Sequence, residues 1–195
     1  MPSAMVSQTV QGAVLSATSN ILAQVITSYK ENTPFSLNIG PVIKFAVFSV
    51  VSNPPNIVWQ GILENAFPTN VPASPAAPSE KTLKDKLVET QMSKRNVLIK
   101  FIFDQTFGAV LNTLMFLVFM GYVNEPGAMA GKVEPMQAVV KEINEKFWPM
   151  ILDGYKFWPI VSLLSFMWVP VDQRVVFGCS VGVLWGIYLS LVADS

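Results

Sequence analysis

The stretch from Val97 to Val123 constrains this chain most. After Lys100, Asp104 and Gln105 near its start it is almost pure hydrocarbon, closing on Leu114-Met115-Phe116-Leu117-Val118-Phe119-Met120. As a helix rising about 1.5 Å per residue, it is long enough to cross the roughly 30 Å hydrocarbon core of a bilayer. Such a segment has two homes, a large soluble core or a membrane. Composition decides between them: 13% of the residues are charged, against roughly 25% in a soluble domain. Mean hydropathy is +0.44. The expected fold class is therefore all-α, an integral membrane helical bundle of four to five spans plus an amphipathic surface helix. Residues 1–195 form a single transmembrane domain in this reading, with a Pro-rich and charged loop over 66–96.

The same composition excludes several functions. Thirteen basic residues balance 13 acidic ones, so no basic surplus exists for nucleic acid. Histidine, the commonest general acid-base group and metal ligand, is absent. Cys179 has no internal disulfide partner and reads as a packing residue in an apolar segment. No catalytic residue, metal site or cofactor is expected. Residues 1–29 carry no charge and read as neither a basic signal region nor an Arg-rich transit peptide, so organelle targeting is expected to be internal.

The remaining spans fall near 11–29, 41–63, 149–169 and 173–192. Gln11 to Tyr29 is mildly apolar and rich in hydroxyls and amides that can bond to neighbouring helices or line a wet interior. In the second span, Asn53-Pro54-Pro55-Asn56 removes two backbone donors, which predicts a kink or break. Glu64 closes it. Glu80 to Arg95 reads as a solvated helix starting at Ser79. Val133 to Lys146 interleaves charge with Val139, Val140 and Ile143, the pattern of an amphipathic surface helix. Lys100 and Asp104 lie one helical turn apart and can pair, as can Asp153 and Lys156. Trp148, Trp158, Trp168 and Trp185 suit the membrane interfaces.

The C-terminal stretch from Phe147 to Ser190 has two apolar arms around a polar corner, Val169-Pro170-Val171-Asp172-Gln173-Arg174. On the second arm Gly178, Gly182, Gly186 and Ser190 recur every fourth residue. On a helix they form a smooth strip, the pattern that lets two helix backbones approach closely in lipid. Each glycine costs about 1 kcal/mol relative to alanine, so close packing is expected to compensate.

Several of these residues together resemble the Mpv-type/peroxisomal membrane protein family. The resemblance covers nearly the whole chain and is densest near its C-terminal end, at Trp158-Pro159, Phe166, Val169-Pro170, Arg174, Trp185 and Tyr188-Leu189-Ser190. Asp104-Gln105 matches the pair opening the family's middle span, and Pro54, Trp59 and Leu63 match a further element. Departures mark a divergent member. Asn53 stands where the family has glycine, Gln60 where it has tyrosine, and Val110 where a proline follows the Asp-Gln pair. Ser162 and Ser165 replace larger polar residues, and the loop with Pro72, Pro75 and Pro78 is longer.

The resemblance implies about four membrane spans in a peroxisomal, mitochondrial inner or related organelle membrane. It implies a channel or permeability role in some members, a membrane-organising role in others, and no enzymatic activity. The candidate polar path is Lys100, Asp104, Gln105, Asn112, Asn53, Asn56 and Arg174, with the Asp104-Gln105 turn meeting Arg174 across the bundle. The partners expected are the lipid bilayer and small-molecule metabolites; a homo-oligomer is left open. The alternative is a non-catalytic scaffold recruiting partners through 80–95 and 133–146, in a paralogue serving a secondary-metabolite pathway.

Overall fold

The computed structural model describes residues 2–72, 90–124 and 135–192; side chains at 2, 135 and 186–192 are outside that description. Seven α-helices are described: α1 Pro2–Lys30, α2 Ile39–Ala66, α3 Lys94–Phe103, α4 Ala109–Asn124, α5 Pro135–Gly154, α6 Trp158–Trp168 and α7 Arg174–Val192. A π-helical turn, Asp104–Gly108, fuses α3 and α4 into one middle helix, Lys94–Asn124. Among the described residues this is the one helix long and apolar enough to cross a membrane by length and composition; Trp158–Trp168 is apolar but shorter.

Local chemistry sets the helix ends. α1 stops where Asn32 takes a left-handed φ of 53°. The amide of Asn32 then donates to Tyr29 O and that of Thr33 to Ser28 O, which satisfies carbonyls left open at a helix end. Asn38 opens α2, its side chain accepting from the Gly40 amide, and Ser93 opens α3 by accepting from the Asn96 amide. Pro159 occupies the first turn of α6, where a missing donor costs nothing.

Four expectations need correction. α2 continues as helix through Pro54 and Pro55, so the expected break does not occur. The two carbonyls that lose their helical donors are those four residues earlier, on Val50 and Val51. The expected span over 149–169 is divided: α5 carries the amphipathic segment on into residue 154, and a turn at Tyr155–Phe157 separates it from α6. Of the predicted 80–95 helix, residues 80–89 lie outside the described residues. Thr90–Met92 is instead a strand, pairing antiparallel with Asn70–Pro72 in the register Val71 to Gln91. The fold is thus helical with one short two-stranded ribbon.

The fourth correction concerns the glycine strip. A Cβ at Gly178 would meet nothing within 4 Å, and one at Gly182 only the Trp158 ring at 4.0 Å. Close backbone approach occurs elsewhere. A Cβ at Gly121 would lie 2.8 Å from Val139 Cα and 3.3 Å from Ala138 O, so α4 and α5 nearly touch there. The side chains at Gly186 and Ser190 lie outside the described residues.

Helix α1 packs against α2 and α7, α5 against α4, and α6 against α3. Phe48 of α2 meets Phe116 edge-on at 5.2 Å and Phe119 at 5.5 Å. Phe157, in the α5–α6 turn, stacks on Trp185 of α7 at 4.9 Å. Leu63, Val97 and Phe166 form a small buried apolar cluster.

Buried polar side chains share the interior with buried apolar ones such as Leu63, Leu117 and Phe166. Lys100, Arg174, Asn53, Ser49, Ser52, Ser162, Ser165 and Thr69 are buried. Meanwhile Val6, Val10 and Val14 of α1, and Ile39, Ile43, Val47 and Val51 of α2, lie exposed at near-helical spacing. Leu98, Ile102, Phe107, Leu111 and Val118 do the same on the middle helix. Exposed apolar stripes around buried charge are the arrangement expected of helices solvated by lipid.

Candidate functional site: a polar ladder between α2 and the middle helix

Glu64, Gln60 and Asn56 recur every fourth residue on α2, so they share one face. Lys100, Asp104, Gly108 and Asn112 do the same on the middle helix. The two stripes run antiparallel and meet rung by rung.

The first rung is ionic. Lys100 Nζ lies 2.5 Å from Glu64 Oε2, and Arg174 Nη1 lies 2.8 Å from the same oxygen. Thr69 completes the cluster: its amide donates to Glu64 Oε1 at 2.7 Å, and its hydroxyl donates to Glu64 Oε2 at 3.0 Å. The Thr69 hydroxyl oxygen in turn accepts from Lys100 Nζ, and from Arg174 Nη2 at 3.3 Å. Arg174 Nε donates to Val169 O at 3.1 Å. Both cations sit over the Phe166 ring, 5.3 and 5.0 Å from its centroid, a contact worth about 2 kcal/mol when desolvated. Lys100 is 0% exposed and Arg174 5%. Glu64 follows the apolar stretch Pro41–Leu63. Burial works to raise its pKa, but hydrogen bonds from Lys100, the Thr69 amide and Arg174 outweigh that and hold it down at about 2.

The second rung centres on Asp104, at the start of the π turn. Its Oδ1 accepts from Gln60 Nε2 at 3.1 Å and from Trp59 Nε1 at 3.3 Å. Its Oδ2 accepts from the Ser162 hydroxyl at 2.6 Å and from Gln105 Nε2 at 3.5 Å. Gly108 makes room for this: a Cβ there would lie 3.0 Å from Trp59 Nε1 and 3.1 Å from Asp104 Oδ1. A π turn shifts the helix phase by one residue, a device common where a side chain must be re-aimed.

The third rung is a reciprocal amide pair. Asn56 Nδ2 donates to Asn112 Oδ1 at 2.7 Å, and Asn112 Nδ2 donates back to Asn56 Oδ1 at 3.0 Å. Beyond it, Asn53 is buried between α1 and α7, its Oδ1 accepting from Cys179 Sγ at 3.8 Å. Ser16 and Ser49 bond to each other one turn further along α2.

Of the residues expected to line a polar path, Lys100, Asp104, Gln105, Asn56, Asn112 and Arg174 meet in the ladder while Asn53 sits apart against Cys179, and two partners differ from those expected. Lys100 pairs with Glu64 rather than with Asp104. Arg174 does not reach the Asp104-Gln105 turn; it meets Glu64 and Thr69, one turn of the middle helix away. Asp153 and Lys156 do pair, at 2.6 Å. Sequence reasoning passed over Gln60, Thr69 and Ser162 as partners. A usable signal existed for α2: its polar residues share the four-residue spacing of Lys100, Asp104 and Asn112, whereas Thr69 and Ser162 come from segments no spacing rule joins.

Residues 127–190 match the sequence pattern of the Mpv17 / PMP22 family. Over 93% of its length the chain is 28% identical to "PXMP2/4 family protein 3" of Dictyostelium discoideum, covering 79% of that relative. Together these matches support a divergent member of the Mpv17/PMP22 family. Other Mpv17/PMP22 relatives carry organelle names. "Peroxisomal membrane protein PMP22" of Arabidopsis thaliana is 30% identical over 62% of the chain and 60% of its own length. "Mitochondrial inner membrane protein Mpv17" of Drosophila melanogaster is 23% identical over 58% of the chain and 62% of its own length. No solved structure matches the chain. The family match over 127–190 takes in Ser162 and Arg174 but not the α2 side of the ladder.

Proposed function

We propose that this protein is an integral membrane protein of a peroxisomal or mitochondrial inner membrane, and that its polar ladder is a closed pathway for small metabolites. The helices α1, α2, Lys94–Asn124, α5–α6 and α7 would each contribute to crossing the bilayer, giving four to five passes. The observation that carries this reading is the burial of Lys100, Arg174 and Asn53 inside a bundle whose outer faces expose valine and isoleucine stripes. Organelle names among the relatives support the location. A solute with hydrogen-bonding groups could exchange with the rungs, because each rung is a side-chain pair that can trade one partner for another. No chemical step is part of this reading.

Purified protein in sealed vesicles tests it directly. Release of a small polar metabolite should be faster than from protein-free vesicles, while a large dextran stays inside. Equal retention in both vesicle types would refute the pathway.

One observation favours a second reading. Most ladder groups already satisfy each other, as polar groups do in a structural core. Under that reading the protein is a non-catalytic membrane scaffold. Vesicles would then hold their contents, and deletion of residues 80–95 would abolish partner recruitment.

A further inference from the structure

Helix α5 runs antiparallel along α4, and two contacts set their relative height. A Cβ at Gly121 would lie 2.8 Å from Val139 Cα, and at the far end the Tyr155 hydroxyl donates to Gln105 O at 2.7 Å. Gln105 and Gly121 are sixteen residues apart, as are Val139 and Tyr155, so the two helices keep step. Residues 141–146 therefore stand beside Leu114–Phe119, the nearly pure hydrocarbon run of the middle helix. The hydrogen bond from Lys44 to Asn124, at 2.8 Å, marks the end of that run. Glu145 lies beside Met115, about 14 Å further in at 1.5 Å per residue. Yet this outer face of α5 is polar. Gln137, Lys141, Asn144 and Glu145 are exposed, and none of the four has a hydrogen bond or ion pair among the described residues. With Met136 and Val140 they border a shallow cavity of about 530 Å³. The other two charges of the stretch are settled, Lys146 pairing with Glu142 at 2.6 Å.

A carboxylate without a partner at this depth is strongly disfavoured against lipid, and glutamate lacks the long stem that lets lysine reach the surface. Something polar has to cover the face, and its own groups say what. Gln137 and Asn144 each carry donors and an acceptor, so each is complementary to its own kind. Lys141 and Glu145 have opposite charge and lie one helical turn apart. The face supplies everything it lacks. In a pair related by a two-fold axis along the membrane normal, equal residues sit at equal depth. Asn144 then meets Asn144 of the second copy, an amide contact of the kind that joins helices in lipid. Lys141 of each copy reaches one turn along to Glu145 of the other. Trp148, one turn beyond Asn144 and 67% exposed, extends the contact with apolar area. We propose that the outer face of α5 binds the same face of a second copy of this chain. The inference rests on the membrane placement proposed above, and not on whether the ladder passes solutes.

The test uses the full chain, purified and reconstituted into lipid vesicles. Self-association is read by energy transfer between copies labelled at the N-terminus, across a series of protein-to-lipid ratios. Lys141→Glu alone and Glu145→Lys alone each set like charges together and should weaken association by about tenfold or more, the size expected when polar contacts between helices are lost. Lys141→Glu combined with Glu145→Lys exchanges the pair and should restore association, which a misfolded variant could not do. In a Cys179→Ala chain, Asn144→Cys should cross-link between copies on oxidation. Val47→Cys should not, although it lies at similar depth on the exposed side of α2, next to the Phe48–Phe119 contact. Protein that stays in the vesicles as a monomer, equal cross-linking at the two positions, or no rescue by the charge exchange would overturn the proposal. Full labelling of Asn144→Cys by a membrane-impermeant maleimide would overturn it too, as the sign of a face that meets water. Release of the wild type from vesicles by alkaline washing would overturn the membrane placement together with the pairing, and so differs from failure of the pairing alone.

Discussion

Lys100 Nζ sits 2.5 Å from Glu64 Oε2, a carboxylate on another helix, although Asp104 lies one turn away on its own. The choice has a physical reason. Asp104 is enclosed by four neutral donors from Trp59, Gln60, Gln105 and Ser162. Glu64 by contrast faces two buried cations and must serve both.

That arrangement makes Glu64 the most sensitive side chain of the first rung. Glu64→Gln would leave Lys100 and Arg174 buried together without an anion. Breaking a buried pair in this way typically costs about 3–5 kcal/mol, and thermal unfolding in detergent should show a loss of that order. Glu64→Gln combined with Lys100→Met should recover part of it, because one stranded charge is removed; a double variant no more stable than Glu64→Gln would contradict the pairing.

Acid should act on the same group. Free glutamate titrates near about 4.3, and in the folded chain the Glu64 carboxyl is held at about 2. A lowered folded pKa means the carboxylate contributes stability above about pH 4.3, and that this contribution is lost as pH falls toward 2. The unfolding midpoint should therefore drop over that window in the wild type and drop less in Glu64→Gln. Parallel pH profiles for the two proteins would rule this out.

Much of the helical framework is legible in the sequence, because apolar runs and their punctuation act locally. Val97–Val123 falls inside Lys94–Asn124, and the Val169–Arg174 corner separates α6 from α7 as read. Part of the inward-facing polar set was also legible, since Lys100, Asp104, Asn112 and Arg174 have no reason to lie in apolar helices unless they face inward. Their partners were not. Arg174 meets Thr69 from a residue 105 positions away, and Ser162 meets Asp104 across 58; such pairings follow from packing rather than from sequence spacing. The glycines mislead for a related reason. A four-residue repeat shows that Gly178 and Gly182 share a face, yet nothing in it says what that face meets.

Glycine substitutions separate the two cases. Gly121→Val puts atoms where α4 and α5 already touch, and overpacking of this kind costs about 1–3 kcal/mol. Gly178→Ala should be neutral or stabilising by up to about 1 kcal/mol, because the position is open and alanine favours helix. Detergent melting curves on both variants check this; destabilisation at Gly178 with tolerance at Gly121 would invert the packing described.

The amide rung can be read by a double-mutant cycle. Asn112→Leu leaves the Asn56 amide without its reciprocal partner, at a cost of about 1–3 kcal/mol. Replacing both with leucine should cost less than the sum of the single changes. Strict additivity would mean that the two amides do not interact.

The central claim is that the ladder is the solute pathway, and Asp104 is where it is tested most directly. Asp104→Asn keeps the side-chain size and turns one acceptor oxygen of the middle rung into an N–H donor. The measurement is release of a small organic anion and a small organic cation from vesicles holding equal amounts of folded wild-type or Asp104→Asn protein. The account predicts that the variant passes the anion relatively faster than the wild type does, with the ratio of anion to cation release shifted severalfold. An unchanged ratio, or wild-type release no faster than from protein-free vesicles, would contradict it.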